Sequence, residues 1–179
     1  FSLEMETGSW MVFSDPRRFG HLDIIPAGGE AEHPLLSHLG IEPLSNHLSG
    51  PWLSDVLRGK KTPIKSALLD QRLIAGLGNI YVNEALHMSG VSPRRLAQTI
   101  AGKRAEKLVI AIRTVLAAAI EAGGTSLRDH VQPGGEIGYF VQRLSVYGRT
   151  SEPCLTCATP IKELRQSGRA SFYCPSCQR

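Results

Sequence analysis

A chain of 179 residues, 42% of them hydrophobic, can bury the core of one domain or of two small ones. Its longest apolar runs, 108–112 and 115–120, are cut by Arg113 and Glu121, too short for a membrane-spanning helix, and its first residues alternate apolar and acidic rather than resembling a secretory signal, so a soluble, intracellular protein is expected. The net charge of +4 is unevenly spread: residues 1–57 carry eight acidic side chains against Arg17 and Arg18, a balance of −6, and residues 58–179 carry eighteen basic against eight acidic, a balance of +10.

The predicted elements begin with strands. Phe1 to Glu6 alternates, Gly8-Ser9 turns, Trp10 to Phe13 starts a second run, Asp15-Pro16 breaks it, and Phe19 to Ile25 resumes it. Because Phe1 falls inside a strand-like pattern, the sequence is expected to start within a longer protein. Residues 26–50, rich in Pro, Gly, Ser and His, read as a linker. Helical patterning begins at residue 51. One helix is expected from Gly78-Asn79 to about Met88, closed by Gly90. The clearest covers 103–122, with Leu108, Ile112, Val115, Leu116 and Ala119 at helical spacing and Gly123-Gly124 as a stop. Residues 124–150 are glycine-rich and mixed.

The last segment carries every cysteine of the chain: Cys154, Cys157, Cys174 and Cys177, two C-x-x-C pairs separated by sixteen residues. Each pair places two thiolates within reach of one ion, and two pairs complete a tetrahedron, so one structural Zn2+ is expected. Disulfides are the competing reading, disfavoured by the intracellular setting and the paired spacing. Four thiolates leave no open position for catalysis. The insert between the pairs reads as a β-hairpin turning at Gly168, with Arg169 beside the turn. The six histidines show no metal or triad pattern.

Four segments, taken with their order and spacing, resemble the formamidopyrimidine-DNA glycosylase family over essentially the whole chain: Asp15-Pro16-Arg17-Arg18-Phe19-Gly20, 74–81 (IAGLGNIY), 138–140 with 146–149 (GYF and VYGR), and 168–174 (GRASFYC). The resemblance implies a mainly α fold with small β parts: the remnant of an N-terminal β-sandwich at 1–25, the linker at 26–50, a helix–two-turn–helix domain at 51–150, and a zinc-finger β-hairpin at 151–179. It implies a base-excision repair glycosylase and AP lyase that removes oxidised purines (8-oxoguanine and formamidopyrimidines) from duplex DNA. The partner would be duplex DNA with oxidised bases or abasic sites, with no membrane, and the protein a monomer of the bacterial cytoplasm, associated with the nucleoid.

The resemblance also assigns residues. An enzyme that extrudes a base must fill the gap it leaves. Phe19 corresponds to the wedge, and Arg17 to the group that reaches the base opposite the lesion; from the residues alone, Phe19 reads as a core aromatic after a turn. Asn79 corresponds to a phosphate contact at a helix N-terminus, where an N-cap role is the plain alternative. Lys60 and Lys65 match DNA-contacting positions, against a reading as solvated charges. Tyr139 lies in the segment 131–141 that corresponds to the loop closing over the extruded base. Arg169 corresponds to the hairpin arginine that grips the flanking phosphates and is associated with the elimination step. The family's nucleophile, an amino-terminal proline, and its assisting glutamate and lysine have no counterpart among these residues, so this stretch is expected to bind DNA without turnover. Ala158 and Ser126 are small departures that remove no assigned role. Two competing readings remain: an endonuclease VIII-like enzyme for oxidised pyrimidines, and a non-catalytic zinc-ribbon DNA-binding module.

Overall fold

The computed structural model describes residues 1–15, 18–125 and 139–179, which fall into two compact units, Phe1–Ser37 and His38–Arg179. In the first unit, β1 (Ser2–Glu4) and β2 (Trp10–Val12) form an antiparallel hairpin with Leu3 opposite Met11, closed through Gly8 at φ 78°. After it, the Asp15 carboxylate accepts the backbone N–H groups of Phe19 (3.3 Å) and Gly20 (2.7 Å). The strand expected over 19–25 does not form. Alternation favours a strand only when a neighbour completes the hydrogen-bond ladder and covers one face. Described residues 18–25 join no ladder, and Ile24 is 94% exposed.

The second unit is helical. Helix α1 (Gly50–Val56) starts where the Ser49 hydroxyl accepts the Trp52 N–H (3.3 Å), with proline in its first turn. Helix α4 (Lys103–Glu121) buries Leu108, Ile112, Val115, Leu116 and Ala119, the stripe its spacing predicts, and with them Ala105, Val109 and Ala111. It stops where Gly123 and Gly124 take φ values of 71° and 89°. Helices α1 and α3 (Asn79–Met88) pack on α4. Between α2 (Ile64–Leu68) and α3, residues 69–78 make two turns. A short parallel bridge between Ile41 and Ile74 ties this connection down. Gly40 lies so close to it that an added Cβ would meet the Leu73 backbone at 2.3 Å. None of the helices among the described residues is long and apolar enough to cross a membrane.

The C-terminal hairpin pairs β3 (Lys162–Gln166) with β4 (Arg169–Tyr173). Its two-residue turn, Ser167 at φ 48° and Gly168 at φ 76°, has the positive-φ pair that matches strand twist. Val146, Cys154, Ile161, Phe172 and Cys174 form a small core beneath it, distinct from the helical core.

Candidate nucleic-acid interface and metal centre

The two C-x-x-C turns converge. The four sulfurs lie within 4.8 Å of one another, with Cys157–Cys174 and Cys177–Cys157 at 3.4 Å and Cys154–Cys177 at 3.9 Å. A tetrahedron with zinc–sulfur bonds of about 2.3 Å has edges of about 3.8 Å, so the cluster matches one zinc ion. The disulfide reading does not hold, since all four cysteines are free. The thiols share their hydrogen bonds unequally. Donation from the Thr159 side chain and backbone draws the Cys157 thiol down to about 6. Cys177, in turn, is pushed up to about 12 by its contact with the Cys157 sulfur. A divalent cation removes this competition for protons by replacing them.

Arg169 opens β4 at the hairpin tip, with its side chain exposed. The next carbonyl is the meeting point of the site: Ala170 O accepts from Lys65 Nζ at 2.6 Å and from Asn79 Nδ2 at 3.2 Å. Lys65 also donates to Ser171 Oγ (2.7 Å), whose hydroxyl donates to Gln166 Oε1 (2.8 Å). Three residues singled out from the sequence, far apart along the chain, thus converge on one strand. Lys65 is not a surface lysine beside Lys60 and Lys61 but is fully buried. Burial, helped by the Arg169 charge, draws its pKa down to about 8. The N-cap alternative for Asn79 fails too: Gly78 caps α3, and Asn79 is its first helical residue, free to reach the hairpin.

The other assigned residues stand apart. Lys60 is exposed ahead of α2, its carbonyl held by the Gln98 N–H (3.0 Å). Tyr139 is exposed, with its N–H donating to Ala122 O (3.0 Å). Phe19 belongs to the first unit and is 83% exposed, so it is not a core aromatic. Arg17, and residues 131–138 of the expected closing loop, lie outside the described residues.

Several residues of the scaffold were not singled out from the sequence. Gln71 braces the two turns, accepting the Gly76 N–H (2.8 Å) and donating to Leu69 O (3.1 Å) and Leu77 O (3.3 Å). The buried Glu84 carboxylate accepts the N–H groups of Ser145, Val146 and Tyr147 at 2.8–3.0 Å. Asn83 accepts the Phe172 N–H (2.8 Å). His87, in a chain whose histidines showed no metal pattern, sits with Nε2 3.6 Å from Cys154 Sγ. Glu84 was the most accessible of these, since a carboxylate within an apolar helix run must find donors if buried. The partners of the rest are set only by long-range packing.

Comparison with known proteins gives two family matches: the formamidopyrimidine-DNA glycosylase H2TH domain over residues 39–131, and a zinc finger found in FPG and IleRS over 151–179. The formamidopyrimidine-DNA glycosylase of Cereibacter sphaeroides is 52% identical over 179 residues, covering 99% of this chain and 63% of that protein. The chain therefore spans just under two thirds of the length of such relatives. The crystal structure of the MutM (Fpg) protein from Thermus thermophilus superposes with a TM-score of 0.89 at 43% identity, covering 99% of this chain and 67% of that one. A complex between Lactococcus lactis Fpg and DNA containing an abasic site superposes at 0.85 and 32% identity, covering 95% and 62%.

Proposed function

The chain belongs to the formamidopyrimidine-DNA glycosylase family, and from that premise we propose that it is the DNA-gripping part of a base-excision repair glycosylase and AP lyase for oxidised purines, 8-oxoguanine and formamidopyrimidines. The observation that carries this reading is the joint hold of Lys65 and Asn79 on Ala170 O, which fixes the strand that begins at Arg169. A flexible cation on a loose loop must be ordered when it meets phosphate. One mounted on a metal-closed, buried-lysine-braced hairpin loses less entropy on binding. Arg169 is the group we assign to the phosphates flanking the extruded nucleotide, with Lys60 and Asn79 as further backbone contacts. Lys65 acts through the hairpin it holds.

Exposure at 83% suits Phe19 to the role of a wedge between bases, and Arg17 is assigned to the base opposite the lesion. Tyr139 is assigned to the segment that closes over the extruded base. No residue present is assigned the role of nucleophile, so this stretch of chain binds without turnover. The working form is a monomer on duplex DNA in the bacterial cytoplasm.

The test is binding of the chain to a duplex bearing a stable abasic-site analogue, compared with undamaged duplex across a salt series. Tighter binding to the damaged duplex, weakened by zinc chelation and by Arg169→Ala, supports the reading. Equal binding to both duplexes, indifferent to chelation, leaves a non-specific basic DNA-binding module. In the parent enzyme, preferential release of oxidised pyrimidines would transfer the assignment to the endonuclease VIII-like branch.

A further inference from the structure

Helix α3 presents three polar side chains at intervals of four residues, Asn79, Asn83 and His87, which places them along one side of the helix. Each meets the zinc-bearing segment. Asn79 Nδ2 donates to Ala170 O (3.2 Å), Asn83 Oδ1 accepts the Phe172 N–H (2.8 Å), and His87 Nε2 lies 3.6 Å from Cys154 Sγ. The first two rungs reach β4, and the third reaches the metal cluster itself. We propose that His87 is an outer-shell partner of the zinc site, donating Nε2–H to the Cys154 thiolate and slowing loss of the ion.

His87 is not a fifth ligand. The four sulfurs within 4.8 Å of one another already supply a full tetrahedron, and the imidazole approaches it from outside, through Cys154. A cysteine that binds zinc has no proton to give, so a hydrogen bond between these two atoms runs from the imidazole to the sulfur. That fixes the tautomer with hydrogen on Nε2.

Cys154 is suited to receive it. It is one of the two buried cysteines, and the backbone N–H groups of Thr156 and Cys157 in its own knuckle favour its thiolate form. Four thiolates bring two more negative charges than zinc neutralises, and each N–H aimed at a sulfur offsets part of that excess where water cannot. The donor here comes from the helical domain, 67 residues away in sequence. It therefore makes retention of the metal depend on docking of the finger against α3. Outer-shell partners of metal ligands typically contribute about 10–100-fold to metal affinity.

The experiment follows zinc transfer from the zinc-loaded chain to an excess of chromophoric chelator, in wild type, His87→Phe and His87→Gln. Phenylalanine keeps a flat ring for packing and removes the donor; glutamine restores an N–H at similar reach. Release about ten-fold faster in His87→Phe, with His87→Gln within about three-fold of wild type, is the expected pattern. Equal rates in wild type and His87→Phe would overturn the proposal, as would equally fast release from both variants, which marks a packing role alone. A second measurement needs no variant. In cadmium-substituted wild-type chain, heteronuclear NMR should show the His87 Nε2–H proton scalar-coupled to the metal through Cys154. A His87 ring carrying its proton on Nδ1 would refute the hydrogen bond directly.

Discussion

The helical core and the zinc module are held together by different physics. Among the described residues, the helical core is a cluster of twenty-four buried residues, dominated by Leu, Ile, Val and Ala, with eight of them on α4 and three each on α2 and α3. The module has five: Val146, Cys154, Ile161, Phe172 and Cys174, two of them metal-site cysteines. A core that small cannot offset the entropy of ordering its chain, so the module depends on zinc and on hydrogen bonds to its neighbour. Those bonds are numerous. Besides the α3 ladder and Lys65, Gln178 donates to Val91 O (2.9 Å), and Gln166 donates to Pro93 O (3.1 Å). Apolar burial fixes the scaffold without regard to fine direction. Directional bonds then aim the hairpin.

Removing the metal should separate the two regions most decisively. Zinc binding and folding of such modules are coupled on a scale of about 10 kcal/mol. Chelation should therefore abolish amide-exchange protection across 151–179 while leaving α4 protected; simultaneous loss in both regions would show that they fold as one unit. The converse perturbation is Leu108→Ala, at a fully buried position of α4. It should cost about 2–5 kcal/mol in denaturant unfolding of the helical core, with zinc stoichiometry unchanged below the transition.

Lys65 probes the boundary between the regions. Its pKa is about 8 in the folded chain against 10.5 for an ordinary lysine. Between those values the unfolded chain holds the proton that the folded one has released, so stability contributed at this position rises with pH across that window. Below about 8 the cost of burying the charge is fully present. Relative to Lys65→Met, wild type should gain about 1–3 kcal/mol between pH 8 and 10.5, measured as the difference between two urea titrations. A pH-independent difference would mean that the lysine does not titrate there. The smallest effect belongs to Lys60, exposed on the surface. Lys60→Ala should leave stability within about 0.5 kcal/mol and flatten the salt dependence of DNA binding by about one phosphate contact.

Much of this was legible in the residues, and where it was not, the reason is specific. The stripe of α4 and its glycine stop are local properties of a helix, so periodicity located them to within a residue. The C-x-x-C turns are equally local, and their convergence needed only the hairpin between them. The expectation for 19–25 failed because alternation describes one strand, whereas a sheet needs its neighbour as well. Lys65 reads as one more cation in a basic run. Only its place on α2, facing β4, removes it from water. Asn79 has the composition of a helix cap, but Gly78 takes that position, and the amide crosses to another element.

The order of residues was enough for the identity of the family, the extents of α3 and α4 with the buried stripe of α4, the metal ligands and the hairpin turn, because each depends on positions close together along the chain or on motifs preserved as short strings. Packing alone decided which polar groups meet: Lys65 with Ala170, Asn83 with Phe172, Glu84 with the 145–147 backbone, and His87 with Cys154. These pairs are separated by 61 to 105 positions. A hydrogen bond is won or lost within a few tenths of an ångström, and only the packed arrangement of helices and hairpin sets distances that finely.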